Sequence, residues 1–297
     1  MKKLIFGLVL VLLLAGCSQT NVAPDAVYTF NGETVTADEY YEKLVDLYGV
    51  SYMYQILENL VVGDLVLTDE EKKNAQTQFD SIMDYYSDEE SKAYLDAIVR
   101  SAGYTGGIDD LLLYIENGIR KQNHIASYID ANFNDEAFLE KLNPRQVKHV
   151  LVLFDSDGAF TTATQQKIEE IDRIFATGDP AEMETLLADL IDGKTVVFEN
   201  LGYTDVNTSF EAPFLQAALA LNKGQLSGWV QTTYGYHRIY AYGDSFEDFK
   251  GDAGYQDAVK TFDSSIENRA MWSLLQEKVE FTDAFEAQIK AHLEIED

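Results

Sequence analysis

The spacing of apolar residues changes twice along this chain, and those two changes constrain its fold more than any other feature. From Tyr40 onward apolar side chains recur at helical intervals: Tyr40, Leu44, Leu47 and Tyr48, then Tyr52, Ile56, Leu60 and Val61. The pattern breaks at Asn143-Pro144, and Val147 to Leu153 is a run rich in β-branched residues that reads as a strand. Helical spacing returns from Phe246, carried by Phe262, Ile266, Trp272 and Leu275. A helix buries a stripe and a strand buries alternate residues, so each block needs its own kind of partner. The expected fold is therefore α+β. Its N- and C-terminal segments form a mainly helical lobe, and a small α/β domain, a few-stranded sheet flanked by helices, is inserted between them. The two helical blocks are expected to pack on each other.

Local signals place the elements. Val27 to Glu33 is strand-like, with a turn at Phe30-Asn31-Gly32. Thr36-Ala37-Asp38-Glu39 has the form of a capping box, and Thr68-Asp69-Glu70-Glu71 and Ser87-Asp88-Glu89-Glu90 open two further helices. Asp109 to Ile129 and Asn134 to Leu142 complete the first helical block. In the middle block a helix is expected over Gln165 to Ala176, and a second opens at Asp179-Pro180 and runs to Leu190. A strand follows at Val196 to Phe198, then a helix from Ala212 to Leu221 and paired strands over Val230 to Tyr242 with a turn at Tyr234-Gly235. The aromatic residues between Tyr40 and Tyr54 read as core by their spacing, with the lining of a client-binding cleft as the alternative, and His124 and His292 read as solvent-facing. The expected divisions are 1–16, 17–26, 27–142, 143–244 and 245–297.

The first sixteen residues are unlike the rest. Met1-Lys2-Lys3 precedes an apolar run, Leu4 to Leu14, and then Ala15-Gly16-Cys17, the layout of a secretory signal. The run is short of the ~20 apolar residues that span a bilayer. Lys and Arg number 22 against 51 Asp and Glu, a formal charge of −29. Such a surface repels phosphate backbones and anionic headgroups, which excludes a nucleic-acid partner. The single cysteine rules out an internal disulfide, and the four histidines show no metal-binding spacing, so neither metal nor cofactor is expected.

Leu14-Ala15-Gly16-Cys17 resembles a bacterial lipobox. That resemblance implies cleavage before Cys17, lipidation of its thiol and anchoring to the outer face of the cell membrane; two acyl chains hold a protein durably. Residues 143–244 resemble a parvulin-type peptidyl-prolyl isomerase domain. The resemblance is carried by His149-Val150-Leu151-Val152, Leu201-Gly202-Tyr203, Phe214 to Leu221, Gly224-Gln225-Leu226-Ser227 and Tyr234-Gly235-Tyr236-His237-Arg238-Ile239. Residues 27–70 are similar to the N-terminal region of PrsA-type foldase lipoproteins. The whole pattern implies an anchored extracytoplasmic foldase, a SurA-like helical chaperone region beside an isomerase domain. Its implied partners are unfolded exported proteins with X-Pro bonds and the membrane, through Cys17; a homodimer is compatible with the sequence.

The resemblance also implies roles for single residues. His149, His237 and Asp192 match the polar groups of the catalytic site, Asp192 because it lies nine residues before Leu201. Leu201, Phe210 and Phe214 match the apolar pocket for the proline ring, and Thr232 the hydroxyl beside it. Such a site needs no nucleophile. The ~18–20 kcal/mol barrier to rotation is lost amide resonance, so a catalyst binds the twisted amide better than either planar form. Other readings stand beside these. The histidines also read as a hydrogen-bonded core pair that orients the site, and Asp192-Gly193 as a turn. Where the family has Gly-Gly-Asp before Leu-Gly, this chain has Phe198-Glu199-Asn200 in what is expected to be a loop. On that departure rests the alternative of a catalytically inactive holdase with a degenerate parvulin domain.

Overall fold

A computed structural model describes residues 25–154 and 160–295. The chain separates into two units, one ending at Leu57 and one beginning at Glu58.

The first unit opens with an antiparallel hairpin, β1 (Ala26–Phe30) and β2 (Glu33–Thr36). Asn31 and Gly32 turn it at φ 51° and 85°, the positive values that a tight hairpin turn demands. Thr36 then caps the helix α1 (Ala37–Gly63). Its hydroxyl accepts from Glu39 N at 3.3 Å, while the Glu39 carboxylate accepts from Thr36 N at 2.9 Å. The helix is broken at Gly49, whose φ of 63° and ψ of −170° lie outside helical geometry. Tyr40, Tyr41, Leu47, Tyr48 and Tyr52 are exposed rather than buried as their spacing suggests.

The second unit takes in the end of α1 from Glu58, followed by α2 (Asp69–Tyr85), α3 (Glu89–Ser101), α4 (Leu111–Asn132) and α5 (Glu136–Leu142). Thr68 and Glu71 form the expected capping box, and the cap of α3 is Asp88, which accepts from Ser91 N at 2.9 Å. The chain then enters the sheet through β3 (Arg145–Leu153), α6 (Thr162–Phe175), α7 (Met183–Leu186), β4 (Val196–Thr204), α8 (Ala212–Leu219), β5 (Leu226–Gln231) and β6 (Gly235–Gly243). The strands are ordered β4-β3-β6-β5, every neighbouring pair antiparallel. Alternation along β3 gives the sheet two different faces. Val150 and Val152 pack with Ile168, Ile171, Met183 and Leu187 under α6 and α7. On the other face Val147 packs with Ile239, Ala241, Phe214 and Ala218 under α8.

Two elements of the middle block differ from the expectation. The helix expected from Asp179 to Leu190 is a 3₁₀ turn at Pro180–Glu182 followed by the single helical turn α7. Met183 and Leu187 are fully buried against the sheet, and the chain must reverse at once, through Gly193 at φ 66°, to enter β4. Phe198-Glu199-Asn200 is no loop but the middle of β4, with Glu199 opposite His149. The register then slips: Val147 faces Gly202 while Lys148 faces Asn200, so Leu201 is an inserted bulge residue. Gly202 follows at φ 64°, and a Cβ there would lie 3.0 Å from Asp252 Oδ2.

After the sheet come α9 (Phe246–Phe249), α10 (Ala253–Phe262), α11 (Ile266–Lys278) and α12 (Asp283–His292). Ile125, Ile129, Phe133 and Phe138 share one core with Phe249, Tyr255, Val259 and Ile266, joining helices from before and after the sheet. The Phe138 ring meets Tyr255 and Phe262 nearly perpendicular at 5.8 and 5.4 Å, an edge-to-face geometry that adds to simple burial. His124 is not solvent-facing; its Nε2 lies 2.8 Å from the Ala270 carbonyl. Asp252 ties sheet to helices: its carboxylate accepts from Gln146 Nε2 at 2.9 Å, Tyr203 N at 3.0 Å and Gly254 N at 2.9 Å.

Candidate active site

The sheet face beneath α8 carries a cavity of about 370 Å³. Period-two alternation decides which residues reach it. β3 contributes His149 and Leu151, and β4 contributes Val197, Glu199 and Leu201. Phe210, Glu211 and Phe214 come from α8 and the segment leading into it; Thr232, Tyr234 and His237 come from the β5–β6 turn and β6. Phe214, only 4% exposed, stands edge-on to both imidazoles at 5.2 and 5.0 Å, and Phe210 stands edge-on to Phe214 at 5.2 Å. These rings, with Leu151, Val197 and Leu201, make an apolar slot.

One side of the slot is polar and fully paired. His149 and His237 are 3% and 5% exposed, and their Nδ1 atoms lie 3.1 Å apart. Burial pushes the His237 imidazole down to about 4, with neighbouring His149 adding to the effect. Burial also lowers His149, against the opposing pull of Glu199. Both rings are thus neutral near neutral pH. The hydrogen bonds then assign every proton. The Glu199 carboxylate can only accept, so His149 Nε2–H donates to it at 2.9 Å. A neutral His149 must have a bare Nδ1, which accepts from His237 Nδ1–H. His237 Nε2 is left bare and accepts from the Thr232 hydroxyl at 2.7 Å; the same hydroxyl oxygen accepts from Tyr234 N at 3.2 Å. No ring nitrogen remains free to act as a general base. The pair instead presents a rigid, uncharged wall.

Six of the seven site residues expected from the sequence, His149, His237, Leu201, Phe210, Phe214 and Thr232, meet in this cavity. Asp192 is not among the lining residues, and its contacts fit the other reading, a turn residue. It is exposed, and its carboxylate is occupied by its own turn, accepting from the N–H groups of Lys194, Thr195 and Val196 at 2.9, 2.7 and 3.0 Å and from the Thr195 hydroxyl at 2.6 Å. Those bonds, led by the Thr195 hydroxyl, hold the carboxyl far below the usual carboxylate range. The carboxylate that does reach the imidazoles is Glu199. Its signal was present in the alternation Val197, Glu199, Leu201, but only once those residues are recognised as strand. Leu151 shares the strand face of His149 for the same reason; Glu211 and Tyr234 had no local signal. Among the described residues no three of His, Cys, Asp or Glu come together as a metal-binding group. Cys17 lies outside the described residues.

Residues 1–18 match the family described as prokaryotic membrane lipoprotein lipid attachment site. The chain is 28% identical over 245 residues to the foldase protein PrsA 2 of Listeria innocua, covering 80% of this chain and 76% of the relative. It is 28% identical over 210 residues to the foldase protein PrsA of Clostridium botulinum, covering 62% of this chain and 58% of that protein. Among solved structures, PrsA from Bacillus subtilis aligns over 87% of this chain and 94% of its own, at 18% identity and a TM-score of 0.37. The chain is similar to these foldase lipoproteins, and it is lipid-anchored outside the cytoplasm.

Proposed function

We propose that this chain is an anchored extracytoplasmic foldase whose residues 143–244 catalyse cis/trans isomerisation of X-Pro bonds in newly exported proteins. Residues 27–142 and 245–297 serve as its helical chaperone lobe, and residues 17–26 as the tether. The observation that carries the reading is the cavity itself: an apolar slot with room for a proline ring, walled by two buried, neutral imidazoles whose protons are all engaged. The likeness to proteins named foldase PrsA supports the same reading.

The chemistry follows from what holds an amide planar. Resonance moves charge from nitrogen to the carbonyl oxygen, and hydrogen bonds to that oxygen strengthen it. Phe210, Phe214 and Leu201 take the proline ring out of water. The imidazole wall offers no spare N–H to the carbonyl, because His149 and His237 spend theirs on Glu199 and on each other. The planar, more polar amide is thereby disfavoured relative to the twisted one, which is how differential binding lowers the barrier. Each 1.36 kcal/mol of that preference is tenfold in rate.

Exchange NMR on a proline peptide with the purified full-length protein in nonionic detergent tests the reading. Acceleration above the uncatalysed rate, diminished in Phe214→Leu, is the expected result; no acceleration overturns it. A second reading, a holdase with a degenerate isomerase domain, is favoured by two observations. Asp192 is not among the residues lining the cavity, and the first unit exposes Tyr41, Leu47 and Tyr48. It predicts suppression of client aggregation without peptide isomerisation.

A further inference from the structure

We infer that the cavity selects X-Pro bonds flanked by lysine or arginine; the inference rests on the isomerase reading and names the substrates of that same site. Among the described residues, the formal charges on the cavity wall are two carboxylates, Glu199 and Glu211, and no lysine or arginine lines it. The two histidines that share the wall are neutral, so nothing there offsets the negative charge.

Glu199 and Glu211 differ from other acidic groups in the same unit. Glu116 is paired with Arg120 at 2.9 Å and Glu58 with Lys121 at 2.8 Å. Among the described residues Glu199 forms an ion-pair-type contact only with His149, a neutral donor, and Glu211 forms none with lysine or arginine. Both are nevertheless fixed. His149 Nε2–H holds Glu199, whose side chain is still 54% exposed. Glu211 accepts from Thr233 N at 3.1 Å and from the Thr233 hydroxyl. Two positioned carboxylates without a cationic partner among the described residues, one from β4 and one at the start of α8, line the slot. A chain threading the slot must lay its neighbouring side chains against them.

A cation there gains from both carboxylates, and an acidic or phosphorylated neighbour is repelled by both. Solvent-exposed pairs are individually weak, a few-fold each. Exchanging glutamate for lysine in the peptide replaces two repulsions with two attractions, so a preference of about tenfold follows. The chain's formal charge of −29 acts in the same direction at longer range. Screening shortens both effects, because the Debye length falls to about 3 Å at 1 M salt.

The test uses the full-length protein in nonionic detergent and proline peptides that differ only beside the proline, carrying Lys, Ala or Glu before it or after it. Titration NMR gives the dissociation constant and exchange NMR the isomerisation rate from the same samples. At low salt the Lys peptides bind and turn over about tenfold better than the Glu peptides in at least one position, and the ratio contracts towards unity at 1 M NaCl. The paired Glu199→Gln, Glu211→Gln protein loses the ratio whatever its absolute rate, and the salt series on the unmodified protein tests the same charge effect without substitution. Equal binding of Lys and Glu peptides at low salt, or no binding of either, overturns the inference. Tighter binding of the Lys peptides without isomerisation of any peptide sustains the charge selectivity and overturns the isomerase reading instead.

Discussion

Acidification is the most direct probe of the imidazole wall. In an unfolded chain a histidine titrates near 6.5; in the folded protein burial and the proximity of His149 bring His237 down to about 4. Between those values the unfolded chain binds a proton at this position that the folded chain does not. Stability therefore rises with pH through the window. The contribution is complete above about 6.5 and is lost as pH falls towards about 4. A drop from 6.5 to about 4 corresponds to about 3 kcal/mol. His149, lowered for the same reason, steepens the slope in the same direction. Two measurements check this. Imidazole ¹⁵N shifts should show His237 neutral at pH 5.5, and denaturant unfolding from pH 7 to pH 4.5 should fall more steeply for the native protein than for His237→Gln. A His237 midpoint near 6.5, or equal slopes in the two proteins, would refute the fully paired, desolvated dyad on which the site's chemistry depends.

Other expectations follow from the same geometry. Glu199→Gln removes the charge that holds the His149 imidazole up, so its midpoint falls further in an NMR titration; an unchanged midpoint contradicts the contact. Asp192→Ala unties the turn before β4 and lowers Tm while leaving peptide isomerisation unchanged, and a collapse of activity would return Asp192 to the site. Gly202→Ala forces a side chain into the left-handed bulge position beside Asp252 and costs about 1–2 kcal/mol in denaturant unfolding. Phe214→Ala, at a side chain only 4% exposed, costs about 3–5 kcal/mol by the same measurement.

What could be read along the chain was what neighbouring residues decide among themselves. Thr36 with Glu39 and Thr68 with Glu71 cap their helices by contacts three residues apart, and those caps stand where the side chains put them. Alternation placed His149 on the strand face of Leu151, and the apolar spacing separated helical blocks from sheet. The attachment site at Cys17 is likewise a local signal. Distance along the chain failed where the answer lay across it. The turn at Asp192-Gly193 is legible locally, but the nine-residue interval from Asp192 to Leu201 does not say whether that carboxylate faces the cavity or its own turn. Nor could the residues 198–200 announce that antiparallel pairing sets Glu199 opposite His149. The burial of Phe133 and Phe138 against Phe249 and Tyr255, and the desolvation that keeps both imidazoles neutral, exist only once strands and helices distant in sequence close around them. Capping and alternation are nearest-neighbour physics; register, bulge and desolvation are properties of the assembled fold, and on these the character of the site depends.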